Sequence, residues 1–335
     1  MTLSVVAVLA VPLPAGAAPD PCPPVADCES ASAPNTGSTR RFRHRRSAFV
    51  SAIGQPNHRG RDLLLRPGDP QLVIAKFAYG LTDKDLVDEE VDVWLLRGCG
   101  GSWQRLGTAI TSDDGDHAEV EGVRDTGGRI YFQIPAARRL AAGRHRIHLS
   151  VAGDRSGTDL VIHVAPAGTP VFISDVDGTL TGSESAELGA LVAGVLPAAH
   201  PSSPAALRAL AARGHIPIYL SARPEPLVGR TRAFLARNGF PPGLVQTTTR
   251  KTGALGRAAA RFKTAAIARS VNHRGYIPTF AFGNTASDAQ TYAHVQAQQR
   301  LLYRFTDRIH GSRRFDAYGP LIPELQAARS SCAAP

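Results

Sequence analysis

Val171-Phe172-Ile173-Ser174-Asp175-Val176-Asp177-Gly178-Thr179-Leu180-Thr181 decides how this chain is read. A short apolar run delivers two aspartates, one residue apart, to the end of an expected strand. Gly178 then turns the chain, and Thr179 and Thr181 supply hydroxyls. In an open α/β sheet, ligands are held outside the carboxyl ends of the strands. Two carboxylates at such an end can hold Mg²⁺, and one of them can attack a phosphoryl group. The blander reading of the same residues is an Asp-rich turn after a strand.

Three further segments weigh against the bland reading. Ile216-Pro217-Ile218-Tyr219-Leu220-Ser221 reads as a second buried strand ending in a hydroxyl, followed by Ala222-Arg223-Pro224. Lys263 follows in Ala259-Ala260-Arg261-Phe262-Lys263, on a helical stretch. Thr279-Phe280-Ala281-Phe282-Gly283-Asn284-Thr285-Ala286-Ser287-Asp288 reads as a strand, a glycine turn and a terminal carboxylate. The order Asp, Ser, Lys, Asp, with Asp-Val-Asp-Gly-Thr, Tyr-Leu-Ser-Ala-Arg, Phe-Lys and Phe-Gly-Asn-x-x-x-Asp, resembles the haloacid-dehalogenase-like (HAD) phosphatases. It looks most like their lipin branch, over residues 168–306. That branch includes phosphatidate phosphatases and the related C-terminal domain of phosphatidylinositol-transfer proteins.

The resemblance implies an α/β HAD-like Rossmannoid parallel sheet and a set of roles. Asp175 would be nucleophile and metal ligand. Asp177 would offer its backbone carbonyl to Mg²⁺ and its carboxyl as general acid to the leaving alcohol, which requires a pKa tuned toward working pH. Asp288 would complete the metal site, with Asn284 or Ser287 behind it. Ser221 would bond a phosphoryl oxygen, and Lys263 would neutralise charge on the transferring group. Lys251 competes for that last role, and the Phe-Lys context favours Lys263. Thr179 is expected at the phosphate or the backbone. Arg223 would either orient an anionic group or brace the strand end. His215, His273 and His294 stand at no triad spacing, and Asp113, Asp114 and Asp116 lack the later Glu of a calcium loop.

Composition bounds the rest. A chain of 335 residues with 43% hydrophobic and 20% charged residues has room for two soluble domains. Its formal charge of +10 and pI near 9.9 suit anionic partners, although an Arg- and Ala-rich composition produces such a charge without binding. The apolar stretch from Leu3 to Leu13, then small residues to Ala18, reads as a signal peptide lacking the usual basic n-region, so residues 1–18 are expected to be removed on export. Nothing else approaches a membrane span. The mature chain is thus expected to have no transmembrane segment and to be secreted or periplasmic. Cys22, Cys28, Cys99 and Cys332 suit an oxidising compartment, with Cys22–Cys28 a local loop and Cys99–Cys332 a tie to the tail among three connectivities. Free thiols remain an alternative.

Residues 19–59, Pro- and Ser-rich and ending near Arg40–Arg46, read as a disordered linker. Residues 60–165 read as a small all-β sandwich, with strands over Gln71–Tyr79, Glu90–Arg97, His117–Val123, Arg129–Ile134, Gly143–Val151 and Asp159–Val164. Arg144, Arg146 and His148 alternate with His145, Ile147 and Leu149 and predict one wet, basic face. The α/β domain is expected over 168–325, with a tail at 326–335. A helix is expected over Glu184–Leu196, another from an N-cap at Ser203, and a third over Glu225–Arg237 burying Leu227. Residues 182–205 and 225–261 leave no room for a large cap domain. An open site suits a phosphate on a bulky molecule or at a bilayer surface, and the resemblance implies phosphatidate. No nucleic-acid partner is expected. The competing readings are a non-catalytic module binding lipid phosphate and a phosphatase of soluble esters.

Overall fold

The computed structural model describes residues 22–23, 26–182, 196–307 and 309–332. The expected signal peptide and all but the last residue of the expected helix at Glu184–Leu196 lie outside them.

The N-terminal domain is an all-β sandwich. Its strands are β1 (Arg59–Gly60), β2 (Leu63–Leu65), β3 (Leu72–Lys76), β4 (Ala78–Tyr79), β5 (Lys84–Asp85), β6 (Glu90–Leu96), β7 (Gln104–Ile110), β8 (Arg129–Gln133), β9 (Gly143–Val151) and β10 (Gly157–Val164). A three-stranded sheet β1-β3-β8 faces a five-stranded sheet β2-β10-β9-β6-β7, and β4 and β5 form a separate hairpin. Val73, Phe77, Val93, Ile130, Ile147 and Leu160 fill the space between the sheets.

The expected strand at His117–Val123 is instead a turn-rich loop closed by a Val120–Val123 bridge. Asp125 explains the difference. Its carboxylate, fixed by the Ser112 hydroxyl at 2.7 Å, accepts from the His117 amide at 3.0 Å and so takes up a donor that a strand ladder would use. β7 went unread because it is an edge strand interrupted by Gly107 and alternates between exposed and half-buried positions.

The stretch read as a disordered linker is ordered over residues 26–58 and packs on the sandwich. Arg40 pairs with Asp92 at 3.0 Å, and helix α1 (Arg45–Ile53) sits on its edge. This segment also covers the face expected to be wet. Arg146 donates to the Cys28 and Ala31 carbonyls, Arg144 reaches Glu29 at 2.8 Å, and Arg144 is buried. Alternation marks which side chains share a face and does not reveal what lies over it.

The disulfides differ from the expected pairing. Cys22 joins Cys332, and Cys28 joins Cys99. The local Cys22–Cys28 loop was favoured by proximity in sequence, but Cys28 lies against β9 beside Cys99, whereas Cys22 lies against residues 212–214.

The C-terminal domain is built on six parallel strands: β11 (Pro170–Asp175), β12 (Ile216–Leu220), β13 (Leu244–Gln246), β14 (Ile277–Gly283), β15 (Gln299–Tyr303) and β16 (Arg313–Phe315), in the order β13-β12-β11-β14-β15-β16. The continuous apolar runs of β11 and β12 follow from burial on both faces. Phe172, Tyr219 and Phe282 point into one core, with Leu207, Leu210, Phe234 and Tyr318. Val171, Ile173, Ile218 and Ala281 point into the other, with Ala266, Ile267 and Tyr292.

The covering helices are α2 (Ser203–Ala211), α3 (Val228–Arg237), α4 (Gly256–Ser270) and α5 (Ala286–His294), and a short α6 (Ile322–Gln326) closes the chain. The N-cap of α2 is Ser202 rather than Ser203, whose hydroxyl bonds the His200 carbonyl. Leu227 is half-buried and lines a cleft, because Glu225–Leu227 forms a 3₁₀ turn ahead of α3 that lifts it off the core.

From β11 the chain builds outward through β12 and β13, then returns to place β14 on the other side of β11. The order therefore reverses between β11 and β14, and a crevice opens at their carboxyl ends. Gly178 turns the chain there at φ 75°, where a Cβ would collide with the Asn284 amide.

The sandwich grips the same end of the sheet. Glu225 receives both terminal nitrogens of Arg129 at 2.9 Å and one of Arg59 at 3.3 Å. Arg61 donates to the Thr247 carbonyl, and fully buried Asp62 accepts from Arg232 and from the Val161 and Val245 amides. Loops 221–225 and 246–251 are thus held from both domains.

Candidate active site

Asp175 ends β11 and is buried. Its Oδ1 accepts from Lys263 Nζ at 2.6 Å, and its Oδ2 lies 3.0 Å from the Thr179 hydroxyl. The same ammonium lies 2.7 Å from Oδ1 of Asp288. Lys263 is carried to this point by α4 and Asp288 by the first turn of α5. The other oxygen of Asp288 accepts from the Asn284 and Thr285 amides at 3.1 and 3.2 Å and from the Thr285 hydroxyl at 2.8 Å. Thr285 is the N-cap of α5 and forms a capping box with Asp288, which holds that carboxylate rigidly.

Asp177 turns the other way. Its Oδ2 accepts from the Ser221 hydroxyl at 2.7 Å, and its Oδ1 meets Arg223 at 2.5 Å. Arg223 is itself held by the Thr231 hydroxyl at 3.1 Å. Between these two groups opens a cleft of about 830 Å³, lined by Asp175, Asp177, Arg223, Lys263 and Asn284.

Burial pushes the Asp175 carboxyl up to about 7; the Lys263 ammonium opposes this, and the Asp288 and Asp177 carboxylates reinforce it. Burial would lower Lys263, but Asp175 and Asp288 outweigh it and hold the ammonium above its ordinary value. With Asp175 ionised, two carboxylates share one ammonium and this buried corner carries an excess of negative charge. Among the described residues, no group of three or more His, Cys, Asp or Glu side chains gathers to hold a metal.

Residues 56–164 match the family model described as "PITM 1-3, beta-sandwich domain", and residues 172–305 match "PITM 1-3, LNS2 domain". The two domains of this chain are thus similar, in order, to the β-sandwich and LNS2 domains of that family. Membrane-associated phosphatidylinositol transfer protein 1 of Homo sapiens is 26% identical over 226 residues, which make up 67% of this chain and 17% of that one. Protein retinal degeneration B of Drosophila melanogaster is 29% identical over 242 residues, 71% of this chain and 17% of that one. Membrane-associated phosphatidylinositol transfer protein 2 of Homo sapiens is 30% identical over 191 residues, 56% and 13% of the two chains. The chain thus spans a small part of the length of the curated relatives it matches.

Within the LNS2-like domain, the structure brings Asp175, Thr179, Lys263 and Asp288 into one hydrogen-bonded cluster and Asp177, Ser221 and Arg223 into another. Lys251, the competitor of Lys263, lies away from both and donates to the Asp83 carbonyl. Thr179 is fully buried, and its hydroxyl lies 3.0 Å from Asp175 Oδ2 and 3.1 Å from the Asn284 carbonyl oxygen. Ser221 and Arg223, expected at the substrate, also have a partner in Asp177. Ser287 bonds the Thr285 hydroxyl at 2.8 Å.

Two contributors escaped the sequence reading. Thr285 was legible in principle, since Thr-x-x-Asp ahead of an apolar run is a capping-box signature. Glu225, whose partners lie in another domain, carried no signal.

Proposed function

We propose that the LNS2 domain of this chain is a HAD-like phosphohydrolase. It cleaves a phosphomonoester, phosphatidate or a related lipid phosphate, through an aspartyl-phosphate on Asp175. The observation that carries the reading is the Lys263 ammonium between Asp175 and Asp288, set across the cleft from Asp177 and its Ser221–Arg223 pair. The β11–β14 switch point and the absence of room for a large cap support it.

The residues divide the work between two half-reactions. A carboxylate oxygen of Asp175 attacks phosphorus and the ester P–O bond breaks, while the Asp177 carboxyl gives its proton to the departing alkoxide. Asp177, now ionised, takes a proton from the water that attacks phosphorus next. Inorganic phosphate leaves and Asp175 is restored. Lys263 and Arg223 offset charge on the phosphoryl oxygens, Ser221 donates to them, and Thr179 fixes the orientation of Asp175. Mg²⁺ suits the excess negative charge and hard oxygen donors of this corner. Asp175, Asp288 and the Asp177 carbonyl would hold it, and it would supply charge neutralisation between carboxylate and phosphate.

Phosphate release from phosphatidate in detergent mixed micelles tests the proposal. Turnover is expected with Mg²⁺ and none with EDTA. Binding without release selects a non-catalytic lipid-phosphate module, which the names of the relatives as transfer proteins favour. Turnover of soluble esters with no response to micelles selects the third reading. The two disulfides suit an extracellular or periplasmic setting.

The raised Asp175 also predicts a pH dependence of stability. An acid whose folded pKa lies above its unfolded value of 3.8 stabilises the fold most below that value, and the stabilisation is lost as pH rises through about 7. Mg²⁺ binds the ionised carboxylate. It is therefore expected to raise the melting temperature more at about pH 8 than at about pH 5. Melts with Mg²⁺ or EDTA at both values check this, and equal shifts would contradict it.

A further inference from the structure

Away from the cleft floor, large apolar side chains stand unusually far into solvent along one edge. Leu81, at the tip of the β4–β5 turn, is 108% exposed, and Ile53 and Phe49 on α1 are 71% and 63% exposed. Arg45, Phe49 and Ile53 recur every four residues and share the outer face of α1, while Ser47 is buried and Val50 packs on the sandwich core.

Contacts make this one strip. Gly80 N donates to the Gln55 carbonyl at 2.8 Å, so the end of α1 abuts the Leu81 turn. Lys251 Nζ donates to the Asp83 carbonyl at 2.9 Å, so loop 250–257 abuts the same turn. That loop runs on to Leu255, 88% exposed, at the rim of the cleft.

Cations predominate between these apolar tips, with the exposed Asp113 and Asp114 set behind Asp85. Arg45, Arg46, Lys84, Arg250, Lys251 and Arg257 are exposed. Of the nearer acids, Asp83 is paired with Arg59, Asp85 with Lys76 and Asp88 with Arg43. Separate apolar tips set among cations suit a surface that accepts each tip independently and is itself negative. The interfacial layer of an anionic bilayer has both properties.

We propose that this edge docks on an anionic phospholipid bilayer. Ile53 and Leu81 enter the headgroup layer, the cations lie against the lipid phosphates, and the cleft opens beside the membrane. This rests on the lipid-phosphate reading of the cleft and adds the surface by which the cleft reaches its substrate. Among the described residues no helix is long and apolar enough to cross a membrane, so docking here is peripheral.

Cosedimentation with vesicles of phosphatidylcholine and phosphatidylserine, in roughly 4:1 proportion, tests it. Phosphatidylserine carries no phosphomonoester, so capture reports the edge and not the catalytic cleft. The chain is expected to sediment with these vesicles and not with phosphatidylcholine alone. Ile53→Glu/Leu81→Glu is expected to weaken capture by about tenfold or more. Both side chains are exposed, so its melting curve and its hydrolysis of a soluble phosphate ester should not change. Asp175→Asn should sediment like the wild type. Undiminished capture of the double variant, or equal capture by neutral vesicles, overturns the proposal. Capture that is lost in the double variant, without phosphate release from phosphatidate by the wild type, leaves the docking edge standing and removes the phosphatase reading.

Discussion

Asp175→Asn is expected to lower phosphate release by at least about a thousandfold, with no loss of folding. The amide that replaces the carboxylate is a poor nucleophile, and no neighbouring carboxylate is free to take its place. Asp177 is engaged with Ser221 and Arg223, and Asp288 is held by Lys263 and its capping box. Stability should hold or rise. The wild-type corner carries two buried carboxylates for one ammonium, and the substitution removes one negative charge while leaving the Lys263–Asp288 pair. Initial rates on phosphatidate micelles, with a melting curve of each protein, check both halves. Equal activity in the variant would remove Asp175 from the mechanism. A collapsed fold would show that Asp175 is chiefly structural.

Glu225→Gln is expected to destabilise the chain by about 3–5 kcal/mol. Arg129 is 1% exposed, and both of its terminal nitrogens donate to Glu225. Burial pushes the Glu225 carboxyl up, but Arg129, Arg59 and Arg61 outweigh it and hold it below its ordinary value. Removing that charge strands a buried guanidinium, whereas Arg59 keeps Asp83 at 2.5 and 2.7 Å. Urea unfolding of the single variants and of Glu225→Gln/Arg129→Met separates the causes. The double variant, having no orphaned charge, should recover much of the loss. A double variant as unstable as the sum of its parts would mean that the pair is not the source. Glu225 lies two residues beyond Arg223, so Glu225→Gln should also lower turnover.

The strands that carry the candidate site were legible because they obey local rules. An apolar run ending in polar residues is a buried strand that ends at a sheet edge, and β11, β12 and β14 fall where those runs predict. Gly143–Val151 coincides with β9 for the same reason, since a strand's side-chain period is visible along the chain. His117–Val123 failed because the His117 amide bonds the Asp125 side chain and Val120 and Val123 bond each other, and periodicity does not register such local competition. The ordered segment 26–58 failed because a Pro- and Ser-rich composition shows little propensity of its own. That segment is held by ion pairs and by a disulfide to distant residues.

The amino-acid sequence by itself determined the chemical inventory and its order along the chain: two motif carboxylates, a hydroxyl, a helical lysine and a final aspartate, each at the end of an element that local pattern marks. Only the tertiary structure decided which of them meet. Lys263 rather than Lys251 reaches Asp175, the Thr179 hydroxyl meets the Asp175 carboxylate, Cys22 finds Cys332, and the sandwich clamps the Arg223 loop through Glu225. The reason is physical. Local pattern follows from dihedral preference and side-chain period over a few residues. Pairing between groups tens to hundreds of positions apart depends on which surfaces the sheet order and domain packing press together.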